Sequence, residues 1–549
     1  METFCNPVNI NYQYQPFFRG RESADPAVVL FRDVYYLFAS HGSGYWTSDD
    51  LVNWSFLEVD TRTQPQFDLY APATLVYGDR LYLTHSQGGD MLYSDDPRDP
   101  GSWVNIGHAY EWHDPALFLD DDGRVYLYDG CSDCASLRVA RLDAENNMAL
   151  LDGPYDIFQS DMGSRGFERR GDENEIEDKR PHLEGPWMNK FRGKYYLTYA
   201  VPGTEYAAYC DGCAVADSPM GPFRLCTNSP VAYKATGFLR GCGHGCLFED
   251  RHKNLWKMDT VSIGVHHLFE RRLCLFPAKI DAKGRLYTNT LRGDYPMQYP
   301  HQTADPFFEA DAGWHLLSYG KRTTASSALD SAHLPQMAAD ENIRTWWSAK
   351  SGDAGEWLQL DLQSVCTVRA IQINFADEDT APAAGRHGGF SLRYLLQGSA
   401  DGTHWRTLHD ARQSDDDAPH IYVPLPKPAK LQYVKLTNAG AVPANGKFAV
   451  SGLRVFGCGA GKPPATAPQF SAQRCADTRT MEVRWSAVDG AEGYVIRFGT
   501  DPDALFTHWQ VIGDTTAVIR CLIKGVRYYV TVDAYNENGI VRGTAPQTV

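Results

Sequence analysis

Short apolar runs bounded by turn residues recur along roughly the first 300 positions. Val34-Tyr35-Tyr36-Leu37, Arg80-Leu81-Tyr82-Leu83, Arg124-Val125-Tyr126-Leu127, Lys194-Tyr195-Tyr196-Leu197 and Asn254-Leu255-Trp256-Lys257 resemble one another. Several follow Gly-containing turns such as Tyr77-Gly78-Asp79, Asp122-Gly123 and Arg192-Gly193. Such residues supply the positive φ of a tight hairpin. The aromatic anchors Tyr36, Tyr82, Tyr126, Tyr196 and Trp256 are separated by 46, 44, 70 and 60 residues. A period in the forties is that of a four-stranded propeller blade, and the longer intervals predict blades with insertions.

The pattern changes after about Pro306. Alternating runs such as Trp357-Leu358-Gln359-Leu360-Asp361-Leu362 predict strands with one buried face. Ala339-Asp340-Glu341-Asn342, Thr345-Trp346-Trp347-Ser348 and Gly355-Glu356-Trp357 resemble a discoidin-type (coagulation-factor C) jelly roll, placed at residues 308–458. It is expected to pack against the propeller rather than to bind a ligand. Cys458 to Ala465 reads as a linker. Beyond it, Met481-Glu482-Val483-Arg484-Trp485, Gly493-Tyr494-Val495-Ile496-Arg497-Phe498 and the run Tyr528 to Tyr535 resemble a fibronectin type III domain at residues 466–549, a spacer or docking module. The expected chain is all-β: a five-bladed β-propeller over 1–307, a jelly-roll β-sandwich, and an Ig-like fibronectin type III sandwich.

Composition narrows the function classes. A net charge of −16 argues against nucleic acid or an anionic membrane as partner. No apolar run approaches the roughly 18 residues that span a bilayer. The N-terminal Met1-Glu2-Thr3-Phe4-Cys5-Asn6-Pro7 lacks a basic stretch followed by an apolar one. As written the chain reads as cytoplasmic, and as secreted if a leader has been removed. The 13 cysteines are an odd number and form no disulfide framework. Cys131-x-x-Cys134 and Cys210-x-x-Cys213 formally match a four-thiolate zinc site, but 75 residues separate the pairs. They are read as packed free thiols.

A second signal precedes each anchor. Asp25-Pro26, Ala71-Pro72, Asp114-Pro115, Glu184-Gly185-Pro186 and His244-Gly245 lie 11 or 12 residues before their anchors, and each opens an apolar run. If that run is the innermost strand of its blade, Asp25, Ala71, Asp114, Glu184 and His244 converge on one funnel. A single Asp-Pro is a common turn opener. Three carboxylates at one register are the provision for acid–base chemistry, as in a glycosidase that needs one carboxylate and one protonated carboxyl.

With these, the chain resembles glycoside hydrolase family 43 in Arg21-Glu22-Ser23-Ala24-Asp25-Pro26, Tyr45-Trp46-Thr47-Ser48-Asp49-Asp50-Leu51, Tyr70-Ala71-Pro72, His113-Asp114-Pro115, Glu184-Gly185-Pro186, Gly243-His244-Gly245 and Phe269-Glu270-Arg271-Arg272. The resemblance implies inverting hydrolysis of a glycosidic bond. It makes Asp25 the general base, Glu184 the general acid, and Asp114 the residue that tunes the acid's pKa and orients it. Trp46, Arg271 and Tyr70 become the substrate-binding candidates: Trp46 stacking on the sugar and Arg271 holding a ring hydroxyl. His244 resembles an axial histidine that holds a structural calcium, directly or through water; a packed imidazole is the alternative. Asp120-Asp121-Asp122-Gly123 lacks the spacing of a calcium loop and reads as a hairpin turn. The implied activity is exo-hydrolysis of terminal α-L-arabinofuranosyl residues from plant-type carbohydrate. A β-xylosidase, a β-galactofuranosidase and a non-catalytic carbohydrate-binding propeller are the alternatives.

Overall fold

The computed structural model describes every residue except 16–18, 61, 65–66, 68–69, 87–89 and 381–390, and its regular structure is almost entirely strand. All five anchors sit on the second strand of a four-stranded antiparallel blade. The innermost strands are Ala27–Phe31, Ala73–Tyr77, Ala116–Leu119, Glu184–Phe191 and Arg240–Glu249. The second strands are Val34–Phe38, Arg80–Thr84, Val125–Asp129, Lys194–Val201 and Leu255–Ser262. The register repeats: Tyr36 pairs with Val29, Tyr82 with Leu75, Tyr126 with Phe118, Tyr196 with Asn189 and Trp256 with Phe248.

Each innermost strand contacts the next, and Arg240–Glu249 returns to Ala27–Phe31, so the five blades close a ring. The N-terminal segment helps to lock it. Thr3–Phe4 pairs with Met297–Gln298, and the Asn6 amide donates to the carbonyls of Leu275 and Gly293 at 2.9 and 2.7 Å. Because blades stack face to face, their second strands are buried on both sides. Every residue of Val34–Phe38 is buried, and Tyr36, Phe38, Tyr45, Phe67 and Trp103 share one core between the first two blades.

In the second domain the strands Trp357–Phe375 and His420–Asn438 run through a sheet whose register breaks between Asp361 and Cys366. Such breaks bend long strands over a common core, here lined by Trp347, Leu360, Ile371 and Val455. The domain packs on the propeller: Arg272 Nε donates to His420 Nε2 at 2.8 Å, and Arg454 pairs with the Gln372 amide oxygen while reaching the Asp294 carbonyl. Residues 470–548 form two facing antiparallel sheets, one of three strands and one of five, as expected of a sandwich. The insertion before the fourth blade, residues 157–183, grips this third domain. The Gly166 amide donates to the Leu522 carbonyl at 2.8 Å, and buried Arg169 meets Asp477 and the Arg520 carbonyl. One hydrophobic core runs from Phe167 and Tyr199 through to Ile496 and Leu522. Among the described residues no helix is long and apolar enough to cross a membrane.

Candidate active site

Four residues before the partner of each anchor, one residue has a left-handed backbone: Asp25 (φ 51°), Ala71 (44°), Asp114 (48°), Gly185 (54°) and His244 (47°). Non-glycine residues hold such angles only where their surroundings enforce them. Here the preceding blade does so. Thr260 Oγ1 accepts from the Asp25 amide and Ser40 Oγ from the Ala71 amide, each at 2.8 Å. Ser86 Oγ accepts from the Asp114 amide, and Asp211 Oδ1 from the His244 amide at 3.0 Å.

This register corrects one expectation. The fourth member of the set is Gly185, and Glu184 stands one residue earlier. A Cβ at position 185 would lie 2.5 Å from Cγ of His244, so only glycine leaves room for the imidazole. His244 Nδ1 lies 3.3 Å from Asp25 Oδ1 and 3.8 Å from Asp114 Oδ2. Glu184 is near enough for the charges of Asp114 and His244 to act on it. The four groups therefore do gather, around a histidine.

The environments of Asp25 and Glu184 differ in kind. Burial alone would raise the pKa of Asp25, but Arg271, His244 and the Ser40 hydroxyl outweigh it and hold the carboxyl below the usual range. Arg271 Nη1 donates to Asp25 Oδ1 at 3.0 Å and Ser40 Oγ to Oδ2 at 2.6 Å. Glu184 is pushed the other way, by burial first and by Asp114 second, against the opposing effects of His244 and the Tyr209 hydroxyl. Tyr209 donates to Glu184 Oε1 at 2.6 Å, and the Cys131 thiol to Oε2 at 3.4 Å.

Arg271 is more committed than a sugar-binding residue need be. Its Nε and Nη2 both reach Glu22 Oε1, and its side chain is 5% exposed. Glu22 Oε2 in turn meets His41 Nδ1 at 2.6 Å, and the His41 ring takes the edge of half-buried Tyr70 at 4.1 Å between centroids. Trp46 is a correction. It is fully buried, packs on Phe56 and donates its indole N–H to Asn11 Oδ1 at 2.7 Å. Its strand lies inside the blade, so no sugar reaches the ring.

Calcium takes six to eight oxygens, waters among them; the carboxylate oxygens beside His244 are Asp25 Oδ1 and Asp114 Oδ2. Behind it, Asp211 and Asp259 are both paired with the buried ammonium of Lys257, and Asp25 is held by Arg271. Among the described residues, the close group of candidate metal ligands is Cys131, His182 and Glu184, without His244. The four cysteines of the CxxC pairs also part company. Cys210 and Cys213 are buried in the strand Cys210–Ala216, three positions apart and so on opposite faces, whereas Cys131 and Cys134 are exposed, not packed as expected. Sequence reasoning assigned no role to Glu22, Ser40, His41, His182 or Tyr209. Glu22 alone carried a signal, standing three residues before Asp25 within the quoted motif.

The model of glycosyl hydrolases family 43 matches residues 14–285, and that of the F5/8 type C domain matches residues 322–450. Similar curated proteins include an arabinoxylan arabinofuranohydrolase of Paenibacillus polymyxa, 29% identical over 32% of this chain and 29% of its own length. A β-xylosidase of Xylanibacter ruminicola is 28% identical over 20% of this chain and 38% of its own. A β-D-galactofuranosidase of Aspergillus niger is 25% identical over 36% and 62%. The chain thus spans less than two thirds of the length of each. With its five closed blades and the carboxylates at their centre, the chain carries a glycosyl hydrolases family 43 domain, followed by an F5/8 type C domain.

Proposed function

We propose that the chain is an inverting exo-glycoside hydrolase that releases terminal α-L-arabinofuranosyl residues from plant-type oligo- or polysaccharides. The observation that carries this is the pair of carboxyls in one funnel with pKa values pushed apart, Asp25 down and Glu184 up. Such a pair divides base from acid. Asp25, ionised, takes a proton from a water as its oxygen attacks the anomeric carbon. Glu184, protonated, gives its proton to the leaving oxygen as the glycosidic bond breaks. Asp114 keeps the acid protonated by its charge, and Arg271 keeps the base ionised. Glu22 and His41 hold Arg271 in place, and Tyr70 borders the sugar site beside His41.

The sugar follows the relative named an arabinoxylan arabinofuranohydrolase. The β-xylosidase among the relatives favours β-xylosidic cleavage as the second reading. Residues 466–549 act in this reading as a fibronectin type III spacer docked on the fourth blade. A panel of 4-nitrophenyl glycosides tests the assignment. The α-L-arabinofuranoside should be the best substrate. A preference for the β-D-xylopyranoside would move the assignment to the second reading. No release from any of them, or from arabinoxylan oligosaccharides, would reject the hydrolase.

A further inference from the structure

The acid–base scheme gives Cys131 and His182 no step, yet both adjoin Glu184. The cause is an antiparallel bridge between Ser132 and Leu183, with N–H···O distances of 3.2 and 2.9 Å. That pairing sets Cys131 opposite Glu184 and leaves His182 on the other side of Leu183. Sγ of Cys131, a ring nitrogen of His182 and a carboxylate oxygen of Glu184 all lie within 4.8 Å of one another. Cys131 is exposed and the other two are half-buried, so the group is open to solvent. Nδ1 of His182 is buried with no hydrogen-bond partner among the described residues, a condition that a bound water or ion commonly relieves.

We propose that Cys131, His182 and Glu184 bind a thiophilic divalent cation of the zinc class, and that the bound ion takes Glu184 out of proton transfer. The second half rests on the catalytic reading above; the first does not. One sulfur, one imidazole and one carboxylate suit zinc or cobalt, whereas calcium and magnesium prefer oxygen alone. Ligand atoms of one tetrahedral ion stand roughly 3.5 Å apart, so side-chain rotations of about 1 Å close the site. Three protein ligands leave a fourth position for water. On binding, the thiol proton of Cys131 and any proton on Glu184 are released to solvent, the sulfur stays on the ion as thiolate, and no oxidant or reductant is needed. Partial desolvation and the charges of Asp114 and Glu184 favour the protonated thiol. The dication answers the same negative charges when it arrives.

Equilibrium dialysis of the full chain, first stripped with a chelator, against Zn²⁺ gives the test. One ion per chain should bind saturably. Cys131→Ser and His182→Gln should each weaken binding by about tenfold or more, since loss even of an outer-shell partner of a metal ligand costs about 10–100-fold. Cys134→Ser should stay within about twofold of wild type, since Cys134 is not in the group. Co²⁺ should give a thiolate-to-cobalt absorption band that Cys131→Ser abolishes. The ratio of hydrolysis rates with and without Zn²⁺ should fall in the wild type and stay near one in Cys131→Ser. Absence of saturable binding, or unchanged affinity in Cys131→Ser, overturns the site. Tight binding without loss of rate in an active enzyme overturns the second half. Dialysis and the cobalt band need no turnover, so a chain that binds zinc but cleaves no glycoside upholds the site while rejecting the hydrolase.

Discussion

Gly185 and His244 share one space: a Cβ on residue 185 would lie 2.5 Å from Cγ of the imidazole. The fourth blade thus yields its place on the axis to a side chain of the fifth. Gly185→Ala should push the ring off Asp25 and Asp114 and add left-handed backbone strain of about 1 kcal/mol. The expected result is a loss in kcat/KM of at least about tenfold, with the far-UV circular dichroism unchanged. Wild-type turnover in this variant would show that the ring position is not needed.

Asp25→Asn and Glu184→Gln should each reduce turnover by about 10²-fold or more, the usual contribution of a general base or acid. Folding should survive, since both substitutions keep size and shape. The assay must use an unactivated oligosaccharide, because a nitrophenyl leaving group hardly needs a proton. Near-normal rates in either variant would remove that residue from its role.

Stereochemistry and pH dependence follow from the same geometry. The first sugar released should have the opposite anomeric configuration to the substrate, as read by proton NMR in the first minutes. The profile of kcat/KM should be bell-shaped, its acidic limb following Asp25 and its basic limb Glu184. Burial and then Asp114 raise the pKa of Glu184. Asp114→Asn removes a negative charge that favours the protonated acid, so the basic limb should move to lower pH. Retention of configuration would reject the mechanism. An unmoved limb would deprive Asp114 of its tuning role.

Lys257 is fully buried between Asp211 and Asp259, and Asp211 also accepts the His244 amide. Lys257→Met leaves two buried carboxylates without their cation. Breaking a buried pair in this way costs about 3–5 kcal/mol. The thermal midpoint should drop sharply, and adding Asp211→Asn with Asp259→Asn should recover part of the loss. An unchanged midpoint in the single variant would refute the buried pairing.

The blades and the register of Asp25 and Asp114 were legible because both are local. A turn residue, an apolar run and an aromatic anchor lie within a dozen positions of one another, and the same order recurs five times. The change of pattern near Pro306 marked the accessory sandwiches for the same reason. Trp46 was misread because the third strand of a blade is buried on both faces, so an aromatic there carries no mark of exposure. The true register at Gly185 depended on the imidazole of a residue 59 positions later needing its space. Cys131 met Glu184 across 53 residues through a bridge that no local pattern encodes. No local pattern marks Lys257, Asp211 and Asp259 as a buried group. Local order reaches as far as neighbouring residues constrain one another's backbone. Which side chains then share the axis is decided by closing the ring, which brings the ends of five separate strands to one point.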